Sequence, residues 1–257
     1  MKISKIYLFI IVLGFVISRC ETNDPLKDLG VLGKQNANIY FVPIQPIADA
    51  NADMEYEIEY WTVGNEIKSQ SLWDKIYITE EYDIEIKNAS YTYKNTFDSL
   101  YRDKALYKEY DFDFTDWNPD KNAYDFKSKY FVDAKYAKKT LKQNNTSKSD
   151  FFNSISENAL NSIFQSLINS KSLLRKILVE NNNIVEEAIF ETWYDDNGKI
   201  SDNGIIAAKN ALIAIGPDNL IGDKYKKTES FKIYLSFKIT NGFDEENESS
   251  SRSFKVK

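Results

Sequence analysis

The 257-residue chain is 42% hydrophobic, enough for one large core or two small ones, and carries 33 basic and 39 acidic side chains, no histidine and one cysteine. The missing histidine excludes Ser-His-Asp and Cys-His catalysis, histidine-ligated zinc and a histidine pH switch, while the lone cysteine excludes an internal disulfide or a thiolate metal cluster. The acidic balance argues against nucleic acid as a partner, because neutralising phosphates needs a concentrated basic face, and the missing histidine and lone cysteine leave carboxylates as the groups for any catalysis.

Lys2 and Lys5 give a positive start, and residues 6–17, IYLFIIVLGFVI, form an apolar run of 12. A membrane-spanning helix needs about 20, so the run reads as the core of a secretory signal over residues 1–19. Ile17-Ser18-Arg19-Cys20 then resembles the lipobox of bacterial lipoproteins, in which an apolar and a small residue precede a cysteine that becomes the lipid-modified first residue. Arg19 departs from the small residue usual before the cysteine. The resemblance implies a lipid anchor on Cys20 and an outer-membrane location, held durably because each buried methylene contributes about 0.8 kcal/mol. Cleavage there removes Lys2, Lys5 and Arg19 but no acid, leaving 30 basic against 39 acidic side chains. Glu21 and Asp24 resemble the acidic export signal of surface-exposed lipoproteins in Bacteroidota.

Residues 20–36 mix proline, glycine and charge without periodicity and read as a tether. A β-branched and aromatic strand follows at 38–44, and Met54, Tyr56, Ile58 and Tyr60 alternate with Glu55, Glu57 and Glu59, the period of a half-buried antiparallel strand. Shorter strands are expected at 75–79, 82–87 and 91–94. Asp98-Ser99-Leu100 resembles the short O-glycosylation motif on exported Bacteroidota proteins. Residues 97–143, aromatics among lysines and acids, read as two helices broken at Trp117-Asn118-Pro119-Asp120. Phe152, Ile155, Ala159, Ile163 and Leu167 recur at helical spacing, so one helix is expected over 151–179, started by Ser149 and Asp150 and ended at Asn181. Another is expected over 205–215, stopped by Gly216-Pro217. The end alternates again from Phe231 to Ile239, turns at Asn241-Gly242 and returns as a strand over 253–256.

Strands at both ends enclosing helices suggest an α+β protein: one β-sandwich interrupted by a helical insertion, or a β domain with an adjoining helical domain. Residues 234–256, YLSFKITNGFDEENESSSRSFKV, resemble the last hairpin of Ig-like domains in Bacteroidota surface lipoproteins, which accompany outer-membrane transporters of the starch-utilisation-system type. On that resemblance the antiparallel sandwich is Ig-like, built from 37–94 and 225–257, with 95–224 mainly helical.

Two stretches are candidates for calcium. Asp195 and Asn197 fall on early ligand positions of a calcium loop, but Trp193 and Gly204 occupy its first and twelfth positions without side-chain oxygens, which favours an ordinary Asp-Asn-Gly turn. Asp244 and Glu246 crowd the last hairpin, where calcium or solvent would relieve repulsion. Four tryptophans and 17 tyrosines supply rings on which a sugar or peptide would stack. Trp61 is expected in the core and Trp117 exposed, and Trp117, Tyr124 and Trp193 are the candidate ligand-binding residues. The expected function is a non-catalytic surface lipoprotein that binds glycan or peptide beside a transporter. A carboxylate glycoside hydrolase and a structural or adhesive lipoprotein are the alternatives.

Overall fold

The computed structural model describes residues 37–61, 67–242 and 244–257, so the signal, Cys20 and the tether lie outside the described residues. Two short strands, β1 (Asn38–Phe41) and β2 (Ile47–Ala48), precede β3 (Ala52–Trp61) and the 20-residue strands β4 (Ile67–Ile86) and β5 (Tyr91–Tyr110). Next come β6 (Trp117–Asn118), β7 (Ala123–Val132) and β8 (Lys139–Lys142). A helical layer follows: α1 (Lys148–Asn153), α2 (Glu157–Ile168), α3 (Lys171–Arg175) running into a π-helical turn (Lys176–Asn181), α4 (Glu187–Glu191), α5 (Asp202–Ile215) and α6 (Pro217–Leu220). The chain closes with the 21-residue β9 (Ile221–Asn241), then β10 (Glu246–Glu248) and β11 (Arg252–Val256).

These strands form two sheets, antiparallel except where β2 meets β11: one in the order β1-β3-β7-β6, the other β2-β11-β9-β4-β5, with β8 and β10 also on β9. The ribbon β5-β4-β9 organises the molecule. At about 3.3 Å per residue its strands run about 65 Å, longer than one sandwich needs. Leu72 and Ile76 of β4, with Ile233, Leu235, Phe237 and Ile239 of β9, pack against Met54, Tyr56, Ile58, Tyr60 and Tyr130 of the smaller sheet. Further along, Tyr82, Ile84 and Ile86 of β4 and Ile221 and Tyr225 of β9 pack against Phe151, Phe164, Leu167, Leu174 and Phe190 of the helical layer. The β4–β9 register is unshifted from Ser69↔Thr240 to Ile84↔Tyr225. Even positions of β4 and odd positions of β9 therefore point the same way throughout, and one face of the ribbon supports both cores.

A buried charge cluster marks the boundary between the cores. Lys227, only 3% exposed, bridges Glu80 at 2.8 Å and Glu229 at 2.6 Å, and Ser156 donates to the second Glu80 oxygen at 2.6 Å. Burial alone would push the Glu80 carboxyl up, but the bonds from Lys227 and Ser156 hold it below the usual glutamate range.

The expected helices over 97–143 are corrected to strands, because β5 continues to Tyr110 and β7 occupies Ala123–Val132. In β7 the aromatic positions Tyr124, Phe126 and Tyr130 alternate with Asp125, Lys127 and Lys129, a period-2 pattern that pairs residue by residue with β3. Among the described residues α-helix is confined to the span between β8 and β9, with only the 3-10 turns Phe114–Asp116 and Ala134–Tyr136 before it, so the expected helical boundaries of 95–224 contract at their N-terminal side. The single helix expected over 151–179 is divided, with Ser156 and Ser170 each standing at a new N-cap and the Ser170 hydroxyl accepting from the Leu173 amide at 3.4 Å. The helix expected at 205–215 begins at Asp202, capped by Ser201, and ends at Gly216, whose φ of 74° is the left-handed conformation glycine tolerates.

Candidate functional site

With the inward face of the ribbon covered, the outward face carries the complementary positions: Trp73, Lys75 and Tyr77 on β4, and Lys232, Tyr234, Ser236 and Lys238 on β9. The register sets them in rows, Trp73 opposite Ser236, Lys75 opposite Tyr234 and Tyr77 opposite Lys232. Tyr77 and Tyr234 meet edge to face at 5.5 Å between centroids. Lys75 lies over Tyr77 at 5.4 Å, Lys232 over Tyr234 at 4.8 Å, and Lys238 and Lys104 over Trp73 at 4.5 and 5.8 Å. Such contacts are worth about 0.5–1 kcal/mol at exposed sites, so they steer the lysines without locking them.

A third strand is interrupted beside these rings. β10 pairs β9 at Thr240, Ile239 and Lys238, and β11 resumes only at Leu235, which leaves Ser236 opposite neither. Ser249 closes the gap by donating its amide to Phe237 at 2.8 Å while its hydroxyl accepts from the Phe237 amide. The result is a groove of about 290 Å³ floored by Ser236 and walled by Lys75, Tyr77, Lys104, Tyr234 and Glu248. Lys104 pairs with Glu248, Lys75 with Asp103 at 3.6 Å, and Lys238 with Glu246 at 3.3 Å. Burial would push Glu248 up, but hydrogen bonds from Lys104 and Ser236 hold it below the glutamate range, so it is ionised at neutral pH. The groove thus combines ring surfaces with fixed donor and acceptor pairs, the chemistry that grips polyhydroxylated rings.

A larger cleft of about 540 Å³ lies where residues 42–45 leave the smaller sheet. Its charges cancel locally, Glu57 with Lys127 at 3.7 Å and Glu55 with Lys129 at 3.8 Å, and the Tyr56 hydroxyl is taken by Tyr110 at 2.6 Å. It offers no ring platform.

Compared with known proteins, the chain matches no family model and no curated protein. Among the described residues no helix is long and apolar enough to cross a membrane.

The residues singled out in the sequence scatter. Trp117, 42% exposed, and Tyr124 do meet, with ring centroids 5.1 Å apart, and Tyr124 stacks on Tyr60 at 5.3 Å. Trp193 is removed from any platform: it is 8% exposed within the helical core against Phe190. Trp61, expected in the core, is 40% exposed as the last residue of β3, one step past the inward-facing Tyr60. The Asp195 carboxylate accepts from the amides of Asn197 at 2.9 Å and Lys199 at 2.8 Å, with Gly198 at φ 75°, which makes a turn. Asp244 pairs with Lys68 and Glu246 with Lys238, and among the described residues no group of three or more acid, histidine or cysteine side chains is arranged to hold a metal ion. Sequence reasoning missed Tyr77 and Tyr234. The available signal was the alternation of Trp73, Lys75 and Tyr77 with Leu72, Asp74 and Ile76, a strand with an unusually aromatic outer face.

Proposed function

We propose that this protein is a non-catalytic, lipid-anchored surface protein that captures glycan on the outward face of its long ribbon. The observation that carries the reading is the groove in which Tyr77 and Tyr234 stand beside ion-paired lysines and acids, with Trp73 next to it, opposite Ser236 and under Lys104. Sugar rings present apolar faces to stack and equatorial hydroxyls to bond, and a fixed lysine–carboxylate pair supplies a donor and an acceptor side by side. In this reading Cys20 is the acylated anchor, residues 20–36 hold the fold off the outer membrane, and the sandwich is an Ig-like domain with helices inserted between β8 and β9. A neighbouring outer-membrane transporter would receive the glycan.

Affinity electrophoresis through gels containing a panel of polysaccharides tests the groove. The wild type is expected to be retarded by at least one polymer, and Trp73→Ala and Tyr234→Ala to migrate freely while keeping wild-type circular dichroism. Retardation that survives both changes would remove the groove from the function. The anchor has its own readout: a chain that incorporates a fatty-acid probe equally well after Cys20→Ala is not anchored there.

A further inference from the structure

Lys232 and Lys255 sit directly opposite one another on β9 and β11, one row beyond the Lys75–Tyr234–Ser253 row. Directly opposed side chains on one face approach within about 4.5–5.5 Å at Cβ, and like charges there are destabilising. The lysines beside the groove are neutralised: Lys75 by Asp103, Lys104 by Glu248 and Lys238 by Glu246. Among the described residues neither Lys232 nor Lys255 has a carboxylate in ion-pair range, and the Lys232 ammonium contacts only the Tyr234 ring, 4.8 Å from its centroid. This uncompensated pair adjoins the groove through Tyr77 and Tyr234, on a chain whose net charge is −6.

We infer that the glycan taken by this groove is acidic, with a carboxylate or sulfate seated between Lys232 and Lys255 while adjoining sugar rings lie over Tyr77 and Tyr234. The inference rests on the groove reading above. An anion at that point relieves the lysine–lysine repulsion and is paired with two cations, so binding gains where the free protein is strained. A neutral sugar leaves the repulsion in place.

The same electrophoresis, run with matched polymers, tests it: polygalacturonate against its fully methyl-esterified form for carboxylate, and dextran sulfate against dextran for sulfate. The wild type is expected to be retarded by at least one polyanion and not by its neutral counterpart, with retardation weakening as ionic strength rises and the screening length falls. Lys232→Gln/Lys255→Gln is expected to weaken that retardation about tenfold, two charge-assisted contacts being lost at an exposed site. Tyr234→Ala is expected to weaken it as well. Equal retardation by a neutral polymer, lost in Tyr234→Ala but not in the lysine variant, overturns the acidic ligand and leaves the groove standing. Polyanion binding that the lysine variant leaves unchanged also overturns it. No retardation by any of the four polymers overturns it with the groove's role for these sugars.

Discussion

Lys227 is the charge on which the boundary between the two cores turns. Its ammonium lies 2.8 Å from Glu80 and 2.6 Å from Glu229, is 3% exposed and also donates to the Ser154 carbonyl. A buried pair of this kind adds little over an apolar replacement of the whole cluster, yet losing one partner strands charge in a low-dielectric site. Lys227→Met is therefore expected to lower unfolding free energy by about 3–5 kcal/mol, measured by urea titration. The pH response has a definite sign. Glu80 is held below its ordinary 4.5, so its contribution is complete above that pH and is lost as pH falls through the lower folded value. For Lys227, burial pulls downward, but Glu229 and Glu80 outweigh it and raise the ammonium above 10.5; its contribution is complete below that pH and is lost as pH rises through the higher folded value. Glu80→Gln should be less stable than wild type at neutral pH, and should lose less further stability between about pH 5 and 3. An equal acid-side decline in both proteins would place the responsible carboxylates elsewhere.

At the scale of the element, α5 shows how a single backbone position fixes a packing angle. Gly204 lies in its first turn, its amide donating to the Ser201 hydroxyl at 3.0 Å, and a Cβ there would stand 2.6 Å from the Trp193 carbonyl oxygen and 2.9 Å from the Trp193 Cβ. The helix cannot keep its seat with an added methyl, so Gly204→Ala should cost about 1–3 kcal/mol despite the better helix propensity of alanine. Red-shifted Trp193 emission, from a ring now 8% exposed, should accompany the loss. A stabilised variant with unchanged emission would contradict the contact. Elements with one polar and one apolar face were legible before the fold was known: β3 as the alternation from Met54 to Tyr60, β9 as that from Phe231 to Ile239, and α2 as Ala159, Ile163 and Leu167. β4 read only as fragments because its inward row contains Gln70, Asp74 and Glu80, polar groups buried at 0%, 1% and 8% exposure, which erase the hydrophobic signal. β5 read as a short strand over 91–94 and then as helix, because an edge strand paired only with β4 keeps polar or charged side chains on most of its positions. The groove was less legible still. Its rings come from strands more than 150 positions apart in sequence, and only the Lys75↔Tyr234 register brings them together.

For the whole molecule, the decisive feature is that β4 and β9 belong to both cores without a break in register from Ser69 to Ile84. Stripping off the helical layer would bare Tyr82, Ile84, Ile86, Ile221 and Tyr225 on strands whose other halves are the floor of the sandwich, and would open the Lys227 cluster to water. Such an intermediate exposes a large apolar face while keeping most of the backbone ordered, so its free energy lies near that of the transition out of the native state rather than in a separate basin. The expectation is one cooperative unfolding step for the described fold, although its two cores touch different partners. Leu167→Ala, in the helical core, and Ile233→Ala, in the sandwich core, both remove fully buried side chains and should each lower stability by about 2–5 kcal/mol. Urea unfolding followed by tryptophan emission and by far-ultraviolet circular dichroism should give coincident midpoints in the wild type and in both variants. If Leu167→Ala instead produces an early transition with loss of helical signal while the sheet signal persists to the wild-type midpoint, the ribbon does not couple its two cores, and the helical layer behaves as a separately melting unit.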